Sequence, residues 1–88
     1  MSRFAEQPTA HVSGPEEETE RARLVAAVQR GLDTLPLDQR VAFVLCDVEE
    51  HGSPEVAAIV SAPEATVRTR LHHARKKLRD FLEKEGFR

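Results

Sequence analysis

Apolar residues recur at three- and four-residue spacing along most of the chain, which is the spacing of one face of an α-helix. The first such stretch predicts a helix over residues 17–35. Pro36 ends it, because proline disfavours helical geometry in the residue before it. The residues expected to face inward are Leu24, Val25, Val28, Leu32 and Leu35.

The same spacing predicts a second helix over residues 38–49. Its apolar residues are expected to form one buried stripe, made of Val41, Val44, Leu45 and Val48. The residues that follow carry boundary signals. Gly52 suits the end of the second helix, Ser53 suits an N-cap, and Pro54 suits the first position of a third helix.

The third predicted helix is short, residues 54–60, and a tight turn over residues 61–63 follows it. Its inward residues are expected to be Val56, Ala57, Ile59 and Val60. A fourth helix is predicted over residues 64–84, and Gly86 suits its end. Its apolar track consists of Val67, Leu71, Ala74, Leu78 and Leu82.

A short helix, a tight turn and a long helix in series are typical of a helix-turn-helix, whose second helix enters the DNA major groove. The predicted fold class is therefore all-α, a small four-helix domain over residues 16–85 that contains a helix-turn-helix. Residues 1–15 are rich in Pro, Ser and Gly near their end and lack apolar periodicity. They are expected to be a disordered linker or arm.

The length and composition of the chain exclude several classes of protein. A chain of 88 residues holds one small domain at most, with little apolar surface to spare for a ligand cavity. Cys46 is the single cysteine, which excludes an intrachain disulfide and fits a reducing, cytoplasmic setting. No apolar run approaches the roughly 20 residues of a membrane span, and the first residues lack a secretory signal, so no membrane association is expected.

The net charge of −2 is the sum of two unequal parts, because acidic and basic residues are unevenly distributed along the chain. Residues 1–60 hold 5 Lys/Arg and 11 Asp/Glu, whereas residues 61–88 hold 8 Lys/Arg and 4 Asp/Glu. Residues 66–79 contain six basic residues and no acid. A chain polarised in this way presents a basic face while it stays near neutral overall, although most charged runs are only solvated helix surfaces.

Helical geometry, at about 100° per residue, places the basic and polar residues of the last helix opposite its apolar track. The N-terminal part of a recognition helix meets base edges. Arg68 suits guanine, Thr69 suits a base edge or a thymine methyl, and His72 suits a base or a phosphate, so these three are the predicted base readers. The predicted phosphate contacts further along are Lys76, Lys77 and Arg79.

Other interpretations of the same residues stay open. Arg68 and Arg75 could be solvated or paired with local acids such as Glu64. His72 and His73 are neighbours that do not share a helix face, so no metal site is expected. Cys46 is expected to be a small core residue. No nucleophile, triad or phosphate-binding glycine loop is visible, so neither a cofactor nor an enzymatic activity is expected.

The stretch LPLDQRVAFVLCDVEEHGSPEVAAIVSAPEATVRTRLHHARKKLRDFL resembles region four of bacterial sigma factors of the extracytoplasmic-function (ECF) group. Its most specific part is APEATVRTRLHHARKKL, which is similar to the family pattern Pro-Glu-Gly-Thr-Val-Lys/Arg-Ser-Arg-Leu-x-Arg-Ala-Arg. The resemblance covers about residues 17–83. The departures from the pattern are His51, Pro54, Ser61, Ala65 and His73.

The resemblance implies recognition of the −35 promoter element in double-stranded DNA during transcription initiation. Arg68, Thr69 and His72 match the base-reading positions of the family, and Thr66 and Arg75 match positions that approach the DNA backbone. It further implies binding to the β-subunit flap of RNA polymerase and masking by an anti-sigma factor, with the apolar surface of the first two helices as the place for protein contacts. A monomer is expected.

Two alternatives to promoter recognition belong to other classes. The acidic front half favours a protein-interaction module that occupies an anti-sigma factor or polymerase without reading DNA. The Glu-x-Thr-Val start of the last helix is shared with the output domains of LuxR-type regulators, but the Arg-Leu-x-x-Ala-Arg run and the charged tail point away from them.

Overall fold

A computed structural model describes residues 15–87, with side chains from residue 18 onward, and it is helical throughout that range except for turns and short connections. The helices are α1 (Pro15–Asp33), α2 (Leu37–Phe43), α3 (Ser53–Val60) and α4 (Glu64–Lys84). A π-helical segment, Val44–Val48, continues α2. The all-α prediction with a helix-turn-helix is confirmed. The predicted arm lies outside the described residues apart from Pro15.

The core is organised around one stripe of α4. Val67 and Ala74 are completely buried, and Leu71 and Leu78 are nearly so. α4 packs most extensively against α2 and also against α3 and α1. The other buried apolar residues are Ala27, Ala42 and Val56 of these partners, and Leu35 in the connection between α1 and α2. The apolar track predicted for the last helix is therefore the centre of the fold, and only Leu82, at its far end, is half-buried.

Small residues let α1 and α4 approach each other closely. A Cβ atom on Gly31 would lie 2.5 Å from Leu78 Cδ1 and 2.9 Å from Phe81 Cδ1, so a larger residue would require these two side chains to shift. α4 then ends at Gly86, whose φ is +98°. The Gly86 N–H donates to Glu83 O and the Phe87 N–H to Leu82 O, which is the Schellman arrangement expected at a helix end.

The second predicted helix differs from the observed one because its hydrogen-bonding period changes. The Glu49 N–H donates to Val44 O, five residues back, at 2.9 Å. A π-helical turn has a wider period than the 3.6 residues assumed in the prediction. The expected buried stripe is wrong, because Ala42 is the buried residue of α2 and the π-helical segment has none. Its four residues, Val41, Val44, Leu45 and Val48, are only half-buried, as is Cys46.

The start of α3 also corrects the prediction. Gly52 has an extended backbone and is itself the N-cap of α3, so Ser53 and Pro54 are the first two helical residues. The positive φ that ends the preceding segment belongs to Glu50, not to Gly52. Of the residues expected to face inward on α3, Val56 is completely buried and Ala57 and Val60 are half-buried, whereas Ile59 is 55% exposed.

The first half of α1 is less covered than its periodicity predicts. Leu24 and Val25 were expected to face inward, but both are exposed, whereas Ala27 is completely buried. Val28 and Leu32 are half-buried and Leu35 is buried. The helix therefore joins the core mainly through its second half, next to the crossing with α4.

The turn between α3 and α4 contains a strained residue. Ser61 has a φ of +56° and a ψ of 49°, the left-handed conformation that costs a residue with a Cβ atom about 1 kcal/mol or more. The Ala62 N–H donates to Ala57 O at 3.0 Å and closes the turn. This turn sets the relative orientation of the two helices of the helix-turn-helix.

Replacement of Ser61 by glycine is expected to raise the free energy of unfolding by about 1 kcal/mol, because glycine adopts the left-handed conformation without strain. Chemical denaturation measures this change. The matched control is Ala58→Gly in the exposed interior of α3, which should lower stability by a similar amount. Equal destabilisation by both variants would contradict the assignment of strain to Ser61.

His51 joins the end of the π-helical segment to the first turn of α3. Its Nδ1 lies 2.8 Å from Glu55 Oε1, and its Nε2 lies 3.5 Å from Glu49 Oε1. The hydrogen bond with Glu55 is the main cause that raises the pKa of His51. Burial opposes it, and the charge of Glu55 and the contact with Glu49 act in the raising direction, so that the net shift is upward. The charged form is therefore favoured in the folded chain.

A group with a raised folded-state pKa stabilises the fold fully below its unfolded pKa and loses that contribution as pH rises through the folded value. For His51 this loss begins above about pH 6.5. Stability of the His51→Gln variant should thus fall less than that of the unmodified chain between about pH 6 and pH 8. Thermal unfolding across this range tests the expectation, and His73→Gln, an exposed histidine outside this cluster, should keep the original dependence.

Candidate nucleic-acid interface

One face of α4 is polar, basic and open to solvent. Because Val67, Leu71, Ala74 and Leu78 turn inward, the opposite side of the helix points outward. The three predicted base readers, Arg68, Thr69 and His72, are all exposed, and so are Lys76 and Arg79 further along. Thr66 is half-buried at the edge of this face. Lys77, the remaining predicted phosphate contact, and Arg75 are exposed as well. The eight predicted contact residues therefore lie on one helix, and all but Thr66 are exposed.

Arg68 and Thr69, in the first two turns of α4, have their side chains held by the helix itself. Arg68 Nη1 donates to Glu64 Oε1 at 2.7 Å, and the Arg68 side chain remains 61% exposed. Thr69 Oγ1 donates to Ala65 O at 3.0 Å. The hydroxyl proton of Thr69 is thus engaged, which leaves its oxygen lone pairs and its methyl group for an outside partner.

His72 and His73 lie side by side on the exposed surface. Their ring centroids are 5.8 Å apart and the ring planes are inclined by 55°. Within residues 15–87, His, Cys, Asp and Glu side chains form no group of three that could hold a metal ion. His72 lies one turn after Arg68 and Thr69 and extends the same surface along the helix.

Arg75 was predicted to approach the DNA backbone, and the structure places it in a two-bond ion pair with Asp47. Its Nε donates to Asp47 Oδ2 at 2.7 Å and its Nη2 to Asp47 Oδ1 at 2.6 Å. The hydrogen bonds to Asp47 are the main cause that raises the pKa of Arg75. Two of five guanidinium N–H groups are used, and three remain for another partner.

Asp47 also affects its neighbour Cys46. Burial is the main cause that raises the pKa of the Cys46 thiol, and the negative charge of Asp47 adds to it. A raised thiol pKa lowers the fraction of the nucleophilic thiolate near neutral pH.

The remaining cations of α4 differ in whether an acidic side chain pairs with them. Arg70 lies 3.4 Å from Asp38 of α2 and is half-buried. In the part of the chain that the structure describes, Lys76, Lys77 and Arg79 form no ion pair. Arg68, Arg70 and Arg75 are therefore oriented by acids, whereas the three cations that follow Arg75, up to residue 79, have no acidic partner in the described residues.

An apolar groove of about 540 Å³ lies beside the basic face. Its apolar lining residues come from α1, α2, α4 and the segment after α4, and they are Leu24, Phe43, Leu78, Leu82 and Phe87. Arg75 and Arg79 border the same groove. Arg23 lies over the Phe87 ring, with its guanidinium carbon 5.5 Å from the ring centroid.

Comparison with known proteins identifies the family. The model of the family described as "Sigma-70, region 4" matches residues 26–78, which is more than half of the chain. The chain belongs to the sigma-70 region 4 family. The residues matched run from the middle of α1 to Leu78. They include α2, α3, the turn after α3, α4 as far as Leu78, and every predicted contact residue except Arg79.

Curated relatives of this region 4 domain are ECF sigma factors. The chain is 43% identical over 72 residues to the ECF RNA polymerase sigma factor SigE of Mycolicibacterium smegmatis, with 82% of the chain and 28% of that protein covered. It is 32% identical over 80 residues to the ECF RNA polymerase sigma factor SigM of Mycobacterium tuberculosis, with 83% and 41% covered. It is 35% identical over 65 residues to the ECF RNA polymerase sigma-E factor of Escherichia coli, with 74% and 34% covered.

The resemblance to ECF region four is thus confirmed. The chain spans between about a quarter and two fifths of the length of these three relatives. Among the described residues of this region 4 domain, no helix has both the length and the apolar character that a membrane crossing needs.

The sequence pattern did not predict which acids of other elements hold the arginines of α4. These acids are Asp47 and Asp38. Nothing local identifies these pairs, because Asp47 and Arg75 are 28 residues apart in the chain. Pairing of Arg68 with Glu64 was foreseen as an alternative, since residues four apart on a helix are neighbours, and the structure contains this pair.

The Asp47–Arg75 pair should couple the π-helical segment to α4. A double-mutant cycle of Asp47→Ala and Arg75→Ala is expected to give a coupling of about 0.5–1 kcal/mol in the free energy of unfolding, the range of partly exposed ion pairs with good geometry. The matched cycle pairs Asp47→Ala with Arg79→Ala, which contacts no acid in the described residues. Its effects should add. Additive effects in the first cycle as well would show that the pair does not contribute to stability.

Proposed function

We propose that this region 4 domain recognises the −35 element of a promoter as part of an ECF sigma factor, and so directs RNA polymerase in transcription initiation. The observation that carries the proposal is the exposed basic face of α4, whose opposite side is buried in the core. The chain also belongs to the sigma-70 region 4 family. In this role the chain acts by binding alone, without a catalytic step, in the cytoplasm.

The first two turns of α4 supply sequence recognition in this proposal. Arg68 offers a guanidinium fork that matches the O6 and N7 atoms of guanine. Thr69 offers acceptor lone pairs and a methyl group because its proton is engaged by Ala65 O. His72 reaches a base or a phosphate at the next turn. The exposure of all three and their place in the N-terminal half of α4 support this assignment.

The rest of the face supplies affinity through phosphates. Lys76 and Arg79 are exposed cations without an acidic partner among the described residues, which suits contacts that carry no sequence information. Arg75 keeps three N–H groups after its pairing with Asp47, and these suit a phosphate oxygen. Thr66 lies at the helix start, where its hydroxyl suits the DNA backbone.

Protein partners are proposed for the apolar groove beside this face. The exposed Leu24 of α1 and the ring of Phe43 line it, which suits an apolar segment of the polymerase β-subunit flap or of an anti-sigma factor. No residue of the basic face except Arg75 and Arg79 borders the groove. We further propose that the chain is a monomer when no partner is bound.

Arg68→Ala is expected to reduce discrimination among duplex sequences by about 1–3 kcal/mol if Arg68 reads a guanine. The measurement uses the full 88-residue chain and a duplex library randomised over its central helical turn, with sequencing of the bound fraction. The preference should disappear at one base position and persist at the others.

The matched control is Lys76→Ala, which removes one charge from the same face. It should weaken binding to all sequences alike and make the salt dependence less steep by about one unit of slope. Binding that is independent of salt, or an unchanged sequence preference in Arg68→Ala, would contradict the proposal. Absent DNA binding at low salt would favour the protein-interaction alternative.

A further inference from the structure

Glu64 places a negative charge on the end of α4 that is proposed to meet base edges. It is the first residue of α4, and its carboxylate accepts a hydrogen bond from Arg68 Nη1 at 2.7 Å. Both side chains are solvent-accessible, at 38% for Glu64 and 61% for Arg68. A negative charge at this place weakens binding to DNA of any sequence, because DNA is a polyanion.

We propose that Glu64 is a positioning residue that determines DNA sequence specificity through Arg68. This inference rests on the proposed function and adds a role that concerns preference rather than affinity. Glu64 lies one helical turn before Arg68, so the ion pair draws the guanidinium toward the N-terminus of α4, the end that enters the major groove. The pair thereby orients Arg68 toward base edges.

The orientation of Arg68 matters because an arginine without a local partner can donate its hydrogen bonds to any nearby phosphate. One guanidinium N–H is bound by Glu64, and the four others stay available to a guanine. The carboxylate repels phosphate oxygens near it, which makes contacts of Arg68 with the DNA backbone less favourable than contacts with a base. Restricting a long side chain before binding also lowers the entropy lost on forming the specific contact.

The other cations of α4 differ from Arg68 in ways that make this pair distinctive. Arg70 and Arg75 are held by Asp38 and Asp47, which belong to other elements, so these pairs tie α4 to its support. Among the cations of α4 in the described residues, only Arg68 is paired with an acid of α4 itself. Because exposed pairs of this kind are weak, the expected effect on preference is about two- to fivefold.

Glu64 could instead act only on the stability of α4, since an acid in the first turn favours the helix dipole. That role predicts a lower unfolding temperature for Glu64→Gln and a uniform change in DNA binding. It predicts no change at one particular base position. The base preference therefore separates a positioning role from a structural one.

The experiment compares four variants of the full chain on the randomised duplex library: Glu64→Gln, Arg68→Ala, the double variant and Asp80→Asn. Glu64→Gln should bind non-preferred duplexes more tightly and lose about two- to fivefold of its preference at the position read by Arg68. The double variant should show the same preference as Arg68→Ala. Asp80→Asn, the same charge change further along α4, should strengthen binding without altering preference.

Two outcomes would overturn the proposal and are distinct from failure of the proposed function. Glu64→Gln could keep the full preference while Arg68→Ala loses it, which leaves Arg68 as a base reader and removes the role of Glu64. Alternatively, Glu64→Gln could reduce preference equally with and without Arg68, so that Glu64 would act independently. If the unmodified chain shows neither preference nor salt-dependent binding, the proposed function itself fails first.

Discussion

Burial of one stripe of α4 is the constraint on which the rest of this structure depends. A helix that turns Val67, Leu71, Ala74 and Leu78 into the core has no freedom left in its rotation about its own axis. Its opposite face is then fixed in solvent, together with the cations on it. The helices α1, α2 and α3 serve this arrangement, because each buries its own apolar residues against the same stripe. The same packing therefore determines both the position of the basic face and the stability of the core.

Electrostatics refine the surface that burial creates. Arg68, Arg70 and Arg75 each have a carboxylate partner, whereas the two lysines between residues 75 and 79 have none in the described residues. A guanidinium offers directional N–H groups, so fixing its plane gives geometric selectivity, while an ammonium group acts as a mobile point charge. This division suits a surface in which some cations discriminate and others only attract. It also shows how a chain with a net charge of −2 supports a basic face, since its acids lie elsewhere or orient the arginines.

The elements around α4 deviate from regular geometry where they must reach it. The π-helical segment carries Asp47 and Cys46, and Asp47 bonds to Arg75 from that segment. The left-handed Ser61 turns the chain sharply between α3 and α4, and Gly31 lets α1 lie against Leu78 and Phe81 of α4 without displacing their side chains. These local irregularities have a shared consequence, because each one adjusts the placement of a neighbouring element against the central helix.

The sequence by itself determined α4 almost completely. Its apolar track, its basic opposite face and its end at Gly86 all follow from helical period and local residue preference, which a single chain segment expresses. The family resemblance rested on the same segment. Tertiary structure alone decided that Ile59 and Leu24 face solvent, that α2 passes into a π-helical turn, and that Asp47 and Asp38 hold Arg75 and Arg70. Periodicity shows which side of a helix is apolar, but the area that neighbours cover, and the distant charges they bring close, depend on how the helices pack.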